Sequence, residues 1–100
     1  MVNSRQKGKR GELEAVHWLN DRGFNTRRGQ QYCGIEGDAD IVGIDGLHIE
    51  VKRVERLNIH EAVKQAVRDA RDGETGIVMH RKDRTEWLVT LRAEDYFNGI

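Results

Sequence analysis

Ala39-Asp40-Ile41-Val42-Gly43-Ile44-Asp45-Gly46-Leu47-His48-Ile49-Glu50-Val51-Lys52 is the stretch on which the reading of this chain turns. Two runs rich in β-branched and apolar residues flank Asp45-Gly46, a dipeptide suited to tight hairpin turns. Two registers are available. A two-residue loop pairs Ile44 with Leu47 and leaves Asp40 and Glu50 on opposite faces. A three-residue loop, Ile44-Asp45-Gly46 with Gly46 left-handed, pairs Gly43 with Leu47 and Asp40 with Glu50. The second register gathers Ile41, Leu47, Ile49 and Val51 on one face and Asp40, His48, Glu50 and Lys52 on the other. It sorts polarity better and is the register expected.

Outward from the hairpin the pattern alternates. Upstream, Leu13, Val16 and Leu19 recur at helical spacing with Ala15 and Trp18 alongside, predicting a helix over 9–22 that stops at Gly23. Its extension toward Ser4 is left open by Gly8 and Gly11. Phe24–Gln31 reads as an edge strand. Downstream, Asn58 with Glu61 three residues later predicts a capped helix whose apolar stripe is Ile59, Val63, Ala66/Val67 and Ala70, ending at Gly73. Gly76–His80 and Glu86–Leu91 read as strands, and Ala93–Phe97 as a short last helix. The expected fold is α/β, with an αβββαβ core and a central mixed sheet flanked by helices.

Composition sets the limits. The 100 residues predict a single domain over 1–100. Six per cent aromatic residues imply a thin core, which favours self-association. No apolar run approaches the ~20 residues of a membrane span, and the basic N-terminus lacks the apolar region of a secretory signal. The single cysteine, Cys33, excludes an intrachain disulfide and fits a reducing cytoplasm; it reads as a small apolar residue.

The 17 Lys+Arg and 17 Asp+Glu cancel only in sum. Residues 1–35 hold seven bases and three acids, whereas residues 36–55 hold six acids and two bases. Like charges gathered in one place repel unless something bridges them, and a divalent cation is one such bridge. A calcium loop beginning at Asp38 fails, because Val42 and Ile49 fall where oxygen ligands are required. The four histidines lack zinc spacing, and His17, His48 and His60 read as packing or surface groups. Asp40 with Glu50-Val51-Lys52 remains. Two carboxylates on adjacent strands suit Mg²⁺, with Lys52 beside them to act on a water or a phosphoryl group. The plainer alternative is a solvated strand face carrying a cross-strand ion pair.

These residues resemble the PD-(D/E)XK nuclease superfamily, and within it the small Holliday junction resolving enzymes of archaea and phages. Lys7-Gly8-Lys9-Arg10-Gly11-Glu12 is similar to the opening of their first helix, Gly23-Phe24 through Arg28 to the following strand, Asp40-Ile41-Val42 to the second motif and Ile49-Glu50-Val51-Lys52 to the third. Gln65 and the Trp87 strand resemble phage-encoded members. Ala39 stands where the superfamily's name has proline; Asp38 is the rival for the aspartate role, and Asp40 is preferred because Ile41-Val42 follow it.

The resemblance implies a restriction-endonuclease-like core and a Mg²⁺-dependent endonuclease, with Mn²⁺ as substitute, acting as a cytoplasmic homodimer on branched DNA such as four-way junctions. It assigns the metal to Asp40, Glu50, the Val51 carbonyl and Glu12, and catalysis to Glu12, Asp40, Glu50, Lys52 and Gln65. Arg5, Lys7, Lys9, Arg10, Arg27, Arg28 and Arg53 are the expected phosphate contacts. A repair nickase, a flap endonuclease and a DNA-binding module without catalysis are the competing expectations. For DNA binding, log affinity falls linearly with log salt, with a slope of about −0.9 for each phosphate neutralised. A flat dependence in a fluorescence-anisotropy titration removes nucleic acid as the partner.

Overall fold

In the computed structural model, which describes residues 4–29 and 39–99, α1 (Ser4–Asn20) is followed by β1 (Arg27–Arg28), β2 (Ile41–Val42) and β3 (Leu47–Arg53). Then come α2 (Ile59–Asp69), β4 (Thr75–Arg81), β5 (Leu88–Thr90) and α3 (Ala93–Asn98). The five strands form one mixed sheet in the order β1-β2-β3-β4-β5. β3 and β4 run parallel, joined by the α2 crossover, and the other neighbours pair antiparallel. The α/β class, the αβββαβ order and the mixed sheet are those expected. No helix among the described residues is long and apolar enough to cross a membrane.

The hairpin takes the expected register. Ile41 pairs with Ile49, which sets Asp40 opposite Glu50. Gly46 has φ +84°, and the Leu47 N–H donates to the Ile44 carbonyl at 3.3 Å. Side chains alternate along β3, so Ile49 and Val51 point to α1, while His48 and Glu50 point to the α2 side. Both faces are covered: His48 and Glu50 are each only 2% exposed.

On the first face Ala15, Val16 and Leu19 of α1 pack against Ile41, Ile49, Val51, Ile77 and Met79. On the second, Ala62 and Ala66 of α2 pack on Val78, with Leu57, Ile59 and Val63 around them. The innermost residues of α2 are thus Ala62 and Ala66; of the expected stripe Ala66 is buried, whereas Ile59 and Val63 are only partly so. A Cβ on Gly76 would lie 2.4 Å from the Ala66 carbonyl oxygen, so the helix backbone rides directly on the strand and only small residues fit between. Asn58 caps α2 by accepting from the Glu61 N–H at 3.2 Å, as expected. The helix ends at Asp69, not at Gly73: Ala70 is already extended, and Gly73 belongs to the turn that follows.

α1 reaches Ser4 and ends at Asn20, whose amide grips Thr26 by three hydrogen bonds of 2.7 to 3.1 Å. That grip starts β1, which is shorter than the Phe24–Gln31 expected. Gln31, Cys33 and Asp38 lie outside the described residues. Gly11 is buried within α1, where an added Cβ would lie 2.6 Å from the Arg53 Cβ, whereas nothing lies within 4 Å of such an atom at Gly8. The two glycines therefore answer oppositely to alanine. Gly8→Ala gains about 0.5–1 kcal/mol of helix propensity and raises the melting temperature. Gly11→Ala lowers it, because overpacking of about 1–3 kcal/mol exceeds that gain. Thermal unfolding followed by circular dichroism separates the two.

Candidate metal centre

β2 begins at Ile41, so Asp40 stands just before the strand with its backbone still tied to β3: its N–H donates to the Ile49 carbonyl at 2.9 Å. Its carboxylate turns to β3, where Oδ2 accepts the Val51 N–H at 2.8 Å. Residues of an extended strand point their N–H and C=O to the same edge, so the Val51 carbonyl faces the Asp40 side as well. Glu50, beside Asp40 on the α2 face, shares a hydrogen bond with it. On its other side Glu50 Oε1 lies 3.0 Å from His48 Nε2.

Burial and crowding show in the acidities. The Asp40 carboxyl is pushed up to about 7, first by burial, then by the negative charge of Glu50 and the bond they share; the Val51 N–H and the Lys52 charge oppose this. Burial also raises Glu50, against the hydrogen bond from Asp40 and the charge of Lys52. Glu12 is raised by burial too, opposed by its bond to Arg28, and it feels both Asp40 and Lys52. Four of the expected residues, Glu12, Asp40, Glu50 and Lys52, therefore lie within one electrostatic neighbourhood. Glu12 reaches it from α1, while Asp40 and Glu50 reach it from β2 and β3.

The other candidates fall into three groups. Gln65 is half-buried on α2, one turn before Asp69. Lys9, Arg10 and Arg27 are exposed; Arg5 and Lys7 sit in the first turn of α1, with side chains outside the described residues. Two expected phosphate contacts are instead engaged internally. Arg28 Nε donates to Glu12 Oε1 at 2.8 Å, tying β1 to α1. Arg53 falls on the α1 face of β3, opposite to Lys52, and contacts Asp83 at 2.8 Å, Glu14 at 3.2 Å and Glu55 at 4.0 Å. Odd and even positions of one strand point opposite ways, which separates Arg53 from the carboxylates although it adjoins Lys52 in sequence.

Sequence reasoning passed over His48 and Asp69. His48 was expected to be a packing or surface group; it is buried, but with a ring nitrogen turned to Glu50. Its two-residue spacing from Glu50 carried the signal, since that spacing shares a strand face. Asp69 influences Glu50 from the end of α2. The positions Ala62, Ala66 and Asp69 share one helix stripe, visible once the alanines are taken as its inner face.

The fold and the site together define a class: a mixed-sheet α/β domain in which a half-buried Asp40 before β2 meets a buried Glu50 in mid-β3, with Lys52 beside them. No protein family matches the chain, and neither a curated protein nor a solved structure does so.

The donor set fits a hard divalent cation. Two carboxyls and a backbone carbonyl face one place, and one carboxyl holds a proton near neutral pH for want of another counter-charge. A raised carboxyl binds its proton more tightly folded than unfolded. Its contribution is complete below the unfolded value of about 3.9 and is lost as pH rises through about 7. Metal-free protein in EDTA should therefore lose stability between pH 4 and 7, by up to about tenfold in the folding constant per pH unit. Asp40→Asn flattens that slope. Urea titrations of the two proteins at several pH values measure it, and parallel slopes contradict the shared proton.

Proposed function

We propose that this protein is a divalent-metal-dependent endonuclease of branched DNA, working as a homodimer. The observation that carries the reading is the Asp40–Glu50 pair, set side by side by the hairpin register with Lys52 on the same face. The motif order in the sequence, from Glu12 through Asp40 to Glu50-Val51-Lys52, supports the same reading by resemblance.

Asp40, Glu50 and the Val51 carbonyl would hold Mg²⁺, or Mn²⁺ in its place. When bound, the ion supplies Lewis-acid stabilisation of charge at a phosphodiester oxygen. The chain's own groups do the rest. Lys52 presents its ammonium to the attacked phosphate and orients the attacking water. Glu12, held by Arg28, would orient water beside the pair. Gln65, half-buried on α2, would orient Lys52 or a water. Lys9, Arg10 and Arg27 supply exposed positive charge for phosphates around the cut, while Arg28 acts through Glu12. A second copy finds apolar surface on the opposite face of the sheet, where Trp18, Phe24, Trp87 and Val89 help line a cleft of about 330 Å³. Phe24 and Val89 remain about half exposed there.

The test compares a four-way junction with a linear duplex of the same sequence, with Mg²⁺ and with EDTA. The wild type cuts the junction only with Mg²⁺, and Glu50→Ala and Lys52→Ala each lose on the order of 10²-fold or more in rate. Equal cutting of both substrates removes the branched-DNA assignment and leaves a nickase or flap nuclease. Binding without any cutting favours the non-catalytic module.

A further inference from the structure

Glu50 has a second set of neighbours that the nuclease reading does not use. His48, Glu50 and Asp69 each offer one ligand atom, and these atoms all lie within 4.8 Å of one another. They come from two elements: His48 and Glu50 from one face of β3, and Asp69 from the last turn of α2, which lies over that face. His48 and Glu50 are almost wholly buried, and the half-buried Asp69 opens the group toward solvent.

From this geometry we infer that His48, Glu50 and Asp69 form a second cation site, selective for a transition-metal ion such as Zn²⁺, Co²⁺ or Mn²⁺, and adjoining the Asp40–Glu50 site through Glu50. One imidazole nitrogen with two carboxylate oxygens suits these ions, whereas Mg²⁺ prefers oxygen alone. Around an ion with bonds of about 2.0–2.2 Å, ligand atoms stand roughly 3.3 Å apart. His48 Nε2 and Glu50 Oε1, at 3.0 Å, are already near that separation. Asp69, whose Oδ1 also accepts from Arg68 Nε at 3.2 Å, would close the third corner by a side-chain adjustment.

A neighbour outside the three ligands is compatible with this. The other ring nitrogen of His48, Nδ1, stands 4.0 Å from Glu74 Oε1, longer than a direct hydrogen bond. Glu74 is itself fixed, accepting the Arg71 N–H at 2.8 Å. A histidine that binds a metal through one nitrogen commonly directs the other to a carboxylate, which fixes the ring and its tautomer. Here the carboxylate lies on the β4 side, and Nε2 is left turned to Glu50 and Asp69. The Nε2–Glu50 contact of 3.0 Å is the one that an ion between them would replace.

The site stands on its own residues and shares only Glu50 with the proposed nuclease site, so either assignment can fail without the other. Co²⁺ is the probe, added to metal-free protein, with its visible absorption bands and calorimetric titration as readouts; Mg²⁺ binding is titrated separately. Wild type takes up Co²⁺ with bands that report nitrogen ligation. His48→Gln and Asp69→Asn weaken Co²⁺ binding at least about tenfold and leave Mg²⁺ affinity within about twofold, whereas Asp40→Asn weakens Mg²⁺ and retains Co²⁺. Far-UV circular dichroism checks folding. Asp69 is less buried than His48, and its variant carries the test if His48→Gln does not fold. No Co²⁺ uptake by wild type, or unchanged uptake in Asp69→Asn, overturns the proposal. Equal loss of both metals in the His48 or Asp69 variant overturns it as well, since that is the behaviour of one common site.

Discussion

Two carboxyl groups set side by side in the interior would normally drive a fold apart, and the Asp40–Glu50 contact is the constraint that the surrounding structure accommodates. Burial makes each charge costly, and proximity makes the second costlier than the first. The chain meets that cost in the metal-free state with a proton held on Asp40 near neutral pH, a backbone N–H from Val51 and the nearby ammonium of Lys52. The arrangement depends on a loop length. Had Asp45-Gly46 closed as a two-residue turn, Glu50 would sit on the α1 face among Ala15, Val16 and Leu19, with no compensating group.

β3 distributes the chemistry because it is the middle strand and is covered on both faces. The α1 face is apolar for most of its length and ends in ion pairs. Arg53 and Arg81 both meet Glu14, and Arg53 also meets Asp83, so α1, β3, β4 and the turn after β4 are locked together. Gly11 lets α1 approach closely enough for that network to form. The α2 face is polar beside β2 and apolar beside β5, with His48 and Glu50 giving way to Val78 under Ala62 and Ala66. Close packing thus adjoins the acidic group directly.

What was legible in the sequence was what local geometry decides. The hairpin register followed from a two-residue alternation and a turn dipeptide, and the α2 start from Asn58 and Glu61, all within a few residues of one another. The end of α2 was not legible: Gly73 is the conspicuous stop, yet the backbone leaves the helix at Ala70, ahead of a turn whose Glu74 accepts the Arg71 N–H. The rotation of α2 was hidden too, because it depends on Gly76, which permits close approach from another element. That rotation brings Asp69 to Glu50, so a residue about twenty positions from its neighbours could not be found by motif spacing. Arg53 misled for the opposite reason: adjacency to Lys52 suggested shared work, but strand alternation sends neighbours to opposite faces.

The zero net charge takes on a different meaning once the acids are placed in space. Counted along the chain, the negative excess belongs to residues 36–55. In the fold, Asp45 lies exposed in the turn and Glu55 leans toward Arg53, so neither belongs to the central group. Glu12 and Asp69 join Asp40 and Glu50 instead, from segments counted as basic or neutral. Arg28 is committed to Glu12, which leaves Lys52 as the cation whose charge Glu12, Asp40 and Glu50 all feel. On the α1 face the same kinds of residue neutralise one another in pairs. Among the described residues the carboxyls raised by burial, Glu12, Asp40 and Glu50, thus gather around Lys52, and the divalent cation proposed there would add positive charge to that group.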